Sequence, residues 1–205
     1  MIAEAKNVIL NLEIKNKEPL ELTELTKSLV ALSNQYNKFT EKNGFTETER
    51  NAKLYVKKIE TGSVILDLIE FGSAGVIPLM ENTNTIIGFA QFVSKTVNYF
   101  LKSDGEKPQI SVQDCKEISQ IVSPVAKDNG SQLNLNVTIN GDVTNYVRMN
   151  STQSNALQNI LKSEIKEKQE LKNGDVIENG LMVFSQTKNK VSGKGGNKVI
   201  IDDAL

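Results

Sequence analysis

The residues best suited to hold a phosphate group lie near the end of the chain, in Ser192-Gly-Lys-Gly-Gly-Asn197. Backbone amides of glycine-rich turns, together with a lysine, can bind an anion of this kind. The established phosphate-binding loop has the pattern G-x-x-x-x-G-K-[ST] and lies between a strand and a helix. Here Gly195 follows Lys194 and a strand is predicted next, so the pattern favours the tip of a hairpin. A ligand sensor that uses loop 188–198 stays as an alternative.

Two neighbouring carboxylates, Asp202 and Asp203, follow an apolar strand and could bind Mg²⁺ through their oxygens. No third carboxylate has an evident position beside them, and acidic residues at the end of a strand are usually solvated. Asp67 lies within an apolar strand, where we predict that it points outward. The sequence therefore predicts no metal site and no cofactor.

The absence of histidine from the sequence excludes a histidine general base, a triad built on histidine and a histidine metal site. The single cysteine, Cys115, can form neither an intrachain disulfide nor a cysteine-rich zinc site. It falls on the apolar face of a predicted helix with Ile118 and Val122, which favours packing in the core. We therefore predict no catalytic residue and no enzyme activity.

Charge and the first residues of the chain bear on partners and location. The sequence has 24 Lys and Arg against 25 Asp and Glu, and no basic block, so binding of nucleic acid is not expected. The first residues lack a basic segment followed by an apolar one, which is the pattern of a secretory signal. A cytoplasmic location is the expectation.

The longest apolar stretch, residues 71–101, contains Glu81 and Lys95 as its charged residues. Spacings of three and four predict a helix that is covered on two sides. The residues that form and widen its stripe are Ile86, Phe89, Ala90, Phe92, Val93, Thr96, Val97, Tyr99 and Phe100. Polar residues interrupt the run that a membrane span would need. A helix buried in protein is favoured, and a membrane-associated effector that uses 71–101 is the alternative.

The first half of the chain predicts a β-α-β-β arrangement. Alternation over residues 7–15 predicts a strand, and a helix follows from Leu22 to about Asn43. Two strands, at residues 53–58 and 64–69, are joined by a turn that contains Gly62. We expect the face lined by Ile65 and Ile69 to be covered by the helix after Phe71.

The polar segment 103–110 is predicted to be a linker between a first unit, 1–102, and a second α+β unit, 111–205. Ser111 can cap a helix that ends before Pro124. The most regular strand, residues 132–140, leads into an Asn140-Gly141 hairpin turn. A return strand (143–149), a helix (151–168) and strands at 181–186 and 199–202 complete the unit. The predicted fold class is thus α+β throughout.

The hairpin of the second unit has an outer face without charge. Asn134, Asn136 and Thr138 point outward from its first strand, while the alternate leucine, valine and isoleucine residues point inward. Strand edges without charged side chains can pair with another chain. We therefore predict that these three residues contact a partner.

Five segments together resemble an uncharacterised family of bacterial and phage-borne α+β proteins: 55–63, 97–101, 125–131, 139–142 and 154–156. The resemblance covers most of the chain, and it implies no catalytic residue, since the family has no assigned activity. Members continue beyond the final strand, so it also implies a shortened or trimmed member. More weakly, the turn Ile59–Val64 is similar to one in small adaptor domains of bacterial conflict systems, which implies a defence setting.

These observations lead to one functional prediction. The chain is expected to be a non-catalytic module that self-associates or binds a partner protein, because it offers no active site and carries more apolar helix surface than one small sheet requires. The predicted contact residues are Phe89, Phe92, Tyr99, Asn134, Asn136 and Thr138.

Overall fold

The computed structural model describes residues 8–43, 47–60, 64–71, 83–173, 181–186 and 198–202, so the predicted turn at Gly62 lies outside the described residues. Helices and strands are mixed along the chain, which confirms the predicted α+β class. In chain order the elements are β1 (Val8–Lys15), α1 (Leu22–Asn43), α2 (Glu47–Arg50), β2 (Lys53–Glu60), β3 (Val64–Phe71), α3 (Thr83–Lys102), α4 (Val112–Ala126), β4 (Gln132–Ile139), β5 (Asp142–Asn150), α5 (Ser151–Asn173), β6 (Leu181–Gln186) and β7 (Lys198–Asp202).

Five of the strands form one antiparallel sheet in the order β2-β3-β1-β4-β5. The first strand is therefore the central one. Leu10 lies opposite Leu68 on one side and Val137 on the other. Because residues directly opposite in an antiparallel pair point to the same face, the register aligns the apolar residues of all three strands.

The helices cover one face of this sheet, which is called the covered face below. Its leucines and isoleucines, including Leu10, Leu12 and Ile14, form one core cluster with side chains of α1, α3, α4 and α5. The predicted stripe of α3 belongs to this cluster, since Ile86, Phe89, Ala90, Val93, Val97 and Phe100 are all buried. The strand period and the helix period thus point the apolar side chains to the same layer.

The position of α3 corrects one expectation. Ile65 and Ile69 were predicted to lie beneath this helix, but the alternate residues Leu66 and Leu68 belong to the core cluster with it. The reason is the register, which places Leu66 and Leu68 opposite Leu12 and Leu10 of the central strand. The same face of β3 therefore packs against α3 and aligns with the core residues of β1.

The first and fourth helices pack side by side over the sheet. The polar residues Ser28 and Gln35 of α1 are buried against α4, and Ser28 Oγ donates a hydrogen bond of 2.8 Å to the carbonyl of Ile121. Leu22, the first residue of α1, is 76% exposed. Pro124 lies inside α4, which ends at Ala126, so the prediction that this helix ends before Pro124 is wrong.

The contacts divide the chain at a different position from the predicted linker. Compact unit 1 is Met1–Lys166 and unit 2 is Glu167–Leu205. Residues on both sides of 103–110 share one sheet, because β1 pairs with β4 from Val8 to Lys15. In unit 2, β6 and β7 form an antiparallel pair, whereas loop 188–198, apart from Lys198, and Asp203 lie outside the described residues.

Candidate interaction surface

Phe89 is part of the core. It is 0% exposed, and its ring contacts Tyr36 and Phe39 at centroid distances of 5.1 and 5.8 Å. A partner protein would have to open the core to reach this ring. Phe89 was predicted to contact a partner, but in the structure it packs α3 against α1.

Phe92 and Tyr99 are half-buried at the surface of α3. The Phe92 ring lies 5.8 Å from that of Phe39, and the Tyr99 ring lies 5.2 Å from that of Phe100. Phe92 also lines two depressions of about 260 and 580 Å³, the first near the end of α1 and the second beside the 103–110 segment. Both rings contact a neighbouring aromatic ring, and both side chains are partly exposed.

The other three predicted contact residues lie on the open face, which is defined here as the side of the sheet opposite the core. Asn134, Asn136 and Thr138 project there from β4. This strand is not an edge, because β1 and β5 pair with it on either side. Both sides of its backbone are hydrogen-bonded within the sheet, so of the two strands of the predicted hairpin, β4 offers no edge to another chain.

Side chains of the open face hydrogen-bond across the strands. Thr138 Oγ1 donates to Asn11 Oδ1, and Asn11 Nδ2 donates to Asp67 Oδ1, both at 2.6 Å. Asn134 Nδ2 donates to Glu13 Oε2, also at 2.6 Å. These polar groups already form hydrogen bonds with one another, and the bonds connect β3, β1 and β4 across the sheet. Alternation in the sequence assigned each residue to a face of its strand. Its hydrogen-bond partners could be identified only from the strand register.

One edge of the described sheet is β5, which the sequence reasoning did not identify as an edge. Its first four residues, Asp142–Asn145, are exposed, and Val143 is 65% exposed. Asp142 and Arg148 are its charged residues. Edge strands carry one row of backbone donors and acceptors without a partner in the sheet, so β5 can accept an added strand.

A β-bulge divides β5 into two parts. Leu135 pairs with Val147 and Asn136 pairs with Asn145, so Tyr146 is the extra residue on β5. Ser94 of α3 donates a hydrogen bond of 2.8 Å to the Tyr146 carbonyl, and this bond fixes the bulge against the helix. The segment before Tyr146 is thus held in extended form while its side chains stay exposed.

The opposite edge, β2, has the features that discourage pairing. Lys53, Lys57 and Lys58 are all exposed, and Lys57 occupies a bulge between the pairs formed by Val56 and Lys58. Lysines and bulges are common means by which an edge avoids another strand. The two edges therefore differ in their capacity to accept a strand.

A charged cluster joins α1 to α4 above the core, and it is called the clamp below. Lys38 Nζ lies 2.9 Å from Asp114 Oδ1 and 2.8 Å from Glu117 Oε2. Gln35 Nε2 donates to the same two carboxylates at 3.0 and 2.6 Å. Ser111 completes a capping box with Asp114. The groups satisfy one another, which indicates a structural rather than a catalytic role.

The clamp changes the pKa values of its members. Burial raises the pKa of Asp114, but hydrogen bonds from Ser111 and Lys38 outweigh it, and the pKa lies well below its usual range. For Glu117, burial is likewise outweighed by hydrogen bonds from Lys38, Gln113 and Gln35, so its pKa is lowered. Burial lowers the pKa of Lys38, yet its two carboxylate partners raise it overall. All three groups are charged near neutral pH.

The described residues contain no group of His, Cys, Asp or Glu side chains placed to hold a metal ion. Within the same ranges, no helix combines the length and apolar character that a membrane crossing requires. Comparison of the chain with protein-family models, curated proteins and solved structures finds no match. The function is therefore inferred from the geometry of the β5 edge and its surroundings.

Proposed function

We propose that this chain is a non-catalytic interaction or self-assembly module that binds protein by adding a strand at β5. One observation supports the proposal most directly. The exposed half of β5, Asp142–Asn145, lies at one edge of the sheet and contains no lysine. The other edge carries Lys53, Lys57, Lys58 and a bulge. A sheet that is protected against strand pairing at one edge and unprotected at the other is suited to bind another strand at the unprotected edge.

Strand addition would work through the backbone. The added segment exchanges N–H···O=C hydrogen bonds with β5, and its side chains alternate between the two faces of the sheet. On the open face they meet Val143 and Asn145, and on the covered face they meet Thr144. Affinity comes from the main chain, and selectivity from these side chains.

The edge is also organised in advance. Because Ser94 holds the Tyr146 carbonyl, the segment before the bulge does not have to be ordered when a partner binds. Binding to an ordered strand avoids part of the conformational entropy that is otherwise lost, about 1–2 kcal/mol per residue. A cytoplasmic setting is part of the proposal, and so is a role in bacterial or phage defence, which the resemblances support.

The test is a charge placed on the edge. Thr144→Glu should abolish association, because a charged side chain at an edge interferes with an incoming strand. Gln120→Glu, at an exposed position of α4, is the matched control for the added charge. Size-exclusion chromatography with light scattering over a range of concentrations measures self-association. Affinity capture from extracts of the native host, with quantification of the same bound proteins for each variant, measures partner binding.

The results separate clearly. The proposal is supported if wild type and Gln120→Glu associate with themselves or with the same partner while Thr144→Glu does not. A strict monomer whose captured proteins are unaffected by Thr144→Glu would contradict it. Binding that needs lipid would instead favour the membrane-associated alternative, although the stripe of α3 is occupied by core contacts at Ile86, Val93 and Val97.

A further inference from the structure

We infer that the strand added at β5 is β5 of a second copy, antiparallel and paired about Val143. This inference rests on the proposed function and names its partner. It would join two five-stranded sheets into one continuous sheet around a two-fold axis. Three features of the edges lead to it: the charges of β2, the position of the bulge in β5 and the exposure of Val143.

The first feature excludes the other edge as the partner. Pairing of β5 with β2 of another copy would be head-to-tail, and such contacts continue into open chains unless they close into a ring. The exposed Lys53, Lys57 and Lys58 disfavour that contact, and the bulge at Lys57 interrupts its ladder. Pairing of β5 with itself satisfies two edges at once and closes the assembly.

The second feature limits the register. A two-fold axis normal to the sheet places one residue opposite its own copy, and the residues on either side pair symmetrically. Centring the axis on Asp142 or on Arg148 would place like charges together, which is destabilising. Centring it beyond Thr144 brings Tyr146, the bulged residue, into the ladder. Val143 and Thr144 are the remaining centres.

The third feature selects between these two centres. Around Val143 the segment 141–145 pairs with itself and ends before the bulge. The two valines, each 65% exposed in one copy, then lie side by side, and Asp142 lies opposite Thr144. Around Thr144, each valine would lie opposite Asn145 instead. Burial of apolar surface between the valines favours the first arrangement.

The size of this contact sets its strength. Five paired residues span about 17 Å of strand at 3.4 Å per residue. Stable interfaces usually bury about 1,200–2,000 Å², and a short strand pair supplies only part of that area. Dimerisation is therefore expected to be weak and dependent on concentration, so a covalent trap is the sharpest test.

The experiment compares two single cysteine variants on the same face of the strand. In the inferred register, Val143→Cys brings two Cβ atoms to about 4.5–5.5 Å, close enough to form a disulfide after slight adjustment. Asn145→Cys separates its two copies by four residues, about 14 Å along the strand. Wild type is the control, because Cys115, its single cysteine, is 0% exposed. Crosslinked dimer after mild oxidation is measured on non-reducing gels.

We expect Val143→Cys to form the disulfide dimer at least tenfold faster than Asn145→Cys. Thr144→Glu in the same chain should suppress crosslinking, because it places a second acid opposite Asp142 of the other copy. Equal rates for the two cysteine variants would overturn the register. Absence of crosslinking, together with monomeric wild type at high concentration, would overturn the second copy as partner. In that case a captured protein lost on Thr144→Glu would still support the proposed function. Unchanged circular dichroism shows that each variant has folded.

Discussion

The two edges of the sheet have almost opposite surfaces. In β2 the exposed residues include three lysines, and the strand is bent by a bulge at Lys57. In β5 the exposed segment has Val143, Thr144 and Asn145 beside a single acid, Asp142. Both strands are 8 or 9 residues long, so length does not explain the difference. Edges of one sheet can thus be protected independently, and in the proposed function the unprotected edge is the one that binds another chain.

If both edges belong to one cooperative unit, acid should lower the stability of both edges together. This is the largest effect that we expect. The folded-state pKa values of Asp114 and Glu117 lie below their ordinary values of 3.8 and 4.5. The stability that they contribute is present above the ordinary values and is lost as pH falls through the lowered ones. Urea unfolding at pH 7, 4 and 2.5 should show a falling midpoint.

Lys38→Met is the control for this acid effect. Without the shared ammonium the two carboxylates lose one of the groups that lower their pKa, so the pH dependence should decrease. Amide protection factors, which compare each exchange rate with the intrinsic rate at the same pH, should fall at both edges together as acid weakens the clamp. If β2 lost its protection at a pH where β5 kept it, the edges would not share one unit.

Removing the protection from β2 should give an intermediate effect. Replacing Lys53, Lys57 and Lys58 with threonine leaves Glu60 as the charged residue of this strand, so new association through β2 is expected. Light scattering should show species larger than a dimer, because each copy then has two usable edges. The same replacement of Lys116, Lys162 and Lys166, all exposed on helices, is the matched control. A triple variant that behaves like wild type would mean that the bulge alone protects this edge.

Ser94→Ala should have the smallest effect and should concern β5 alone. It leaves the Tyr146 carbonyl without its side-chain donor, which costs about 1 kcal/mol. For a unit of this size, that corresponds to a fall of about 2–4 °C in Tm. Amide exchange should increase around the bulge and not in β2. Ser163→Ala, at an exposed serine of α5, is the matched control, and an equal rise in exchange for both variants would contradict the prediction.

Much of the fold follows from periodicity in the sequence. Alternation at Leu10, Leu12 and Ile14 and the three-four spacing of α3 both identify side chains that are buried. The predicted division at 103–110 does not coincide with the contacts, because the pairing of β1 with β4 joins residues more than 100 positions apart. Local patterns contain no information on such a pairing, so the strand order and the edges could not be predicted.

The candidate surface shows the same limit. Asn134, Asn136 and Thr138 were assigned to the correct face of their strand, but they lie in the interior of the sheet. Phe89 has the same helical spacing as its more exposed neighbours, and it is buried because Tyr36 and Phe39 of another helix pack on it. The exposed fraction of a side chain depends on which other element packs against it, and the residue type does not determine that packing.

Residue types and their repeat along the chain are enough to establish most of the elements and their apolar faces, and the absence of histidine chemistry, since each of these is a property of one strand, one helix or the composition. The central position of the first strand and the edge position of β5 were settled only when the whole chain packed together. Strand order minimises the exposed apolar surface of all elements at once, whereas periodicity reports only which side of each element favours burial.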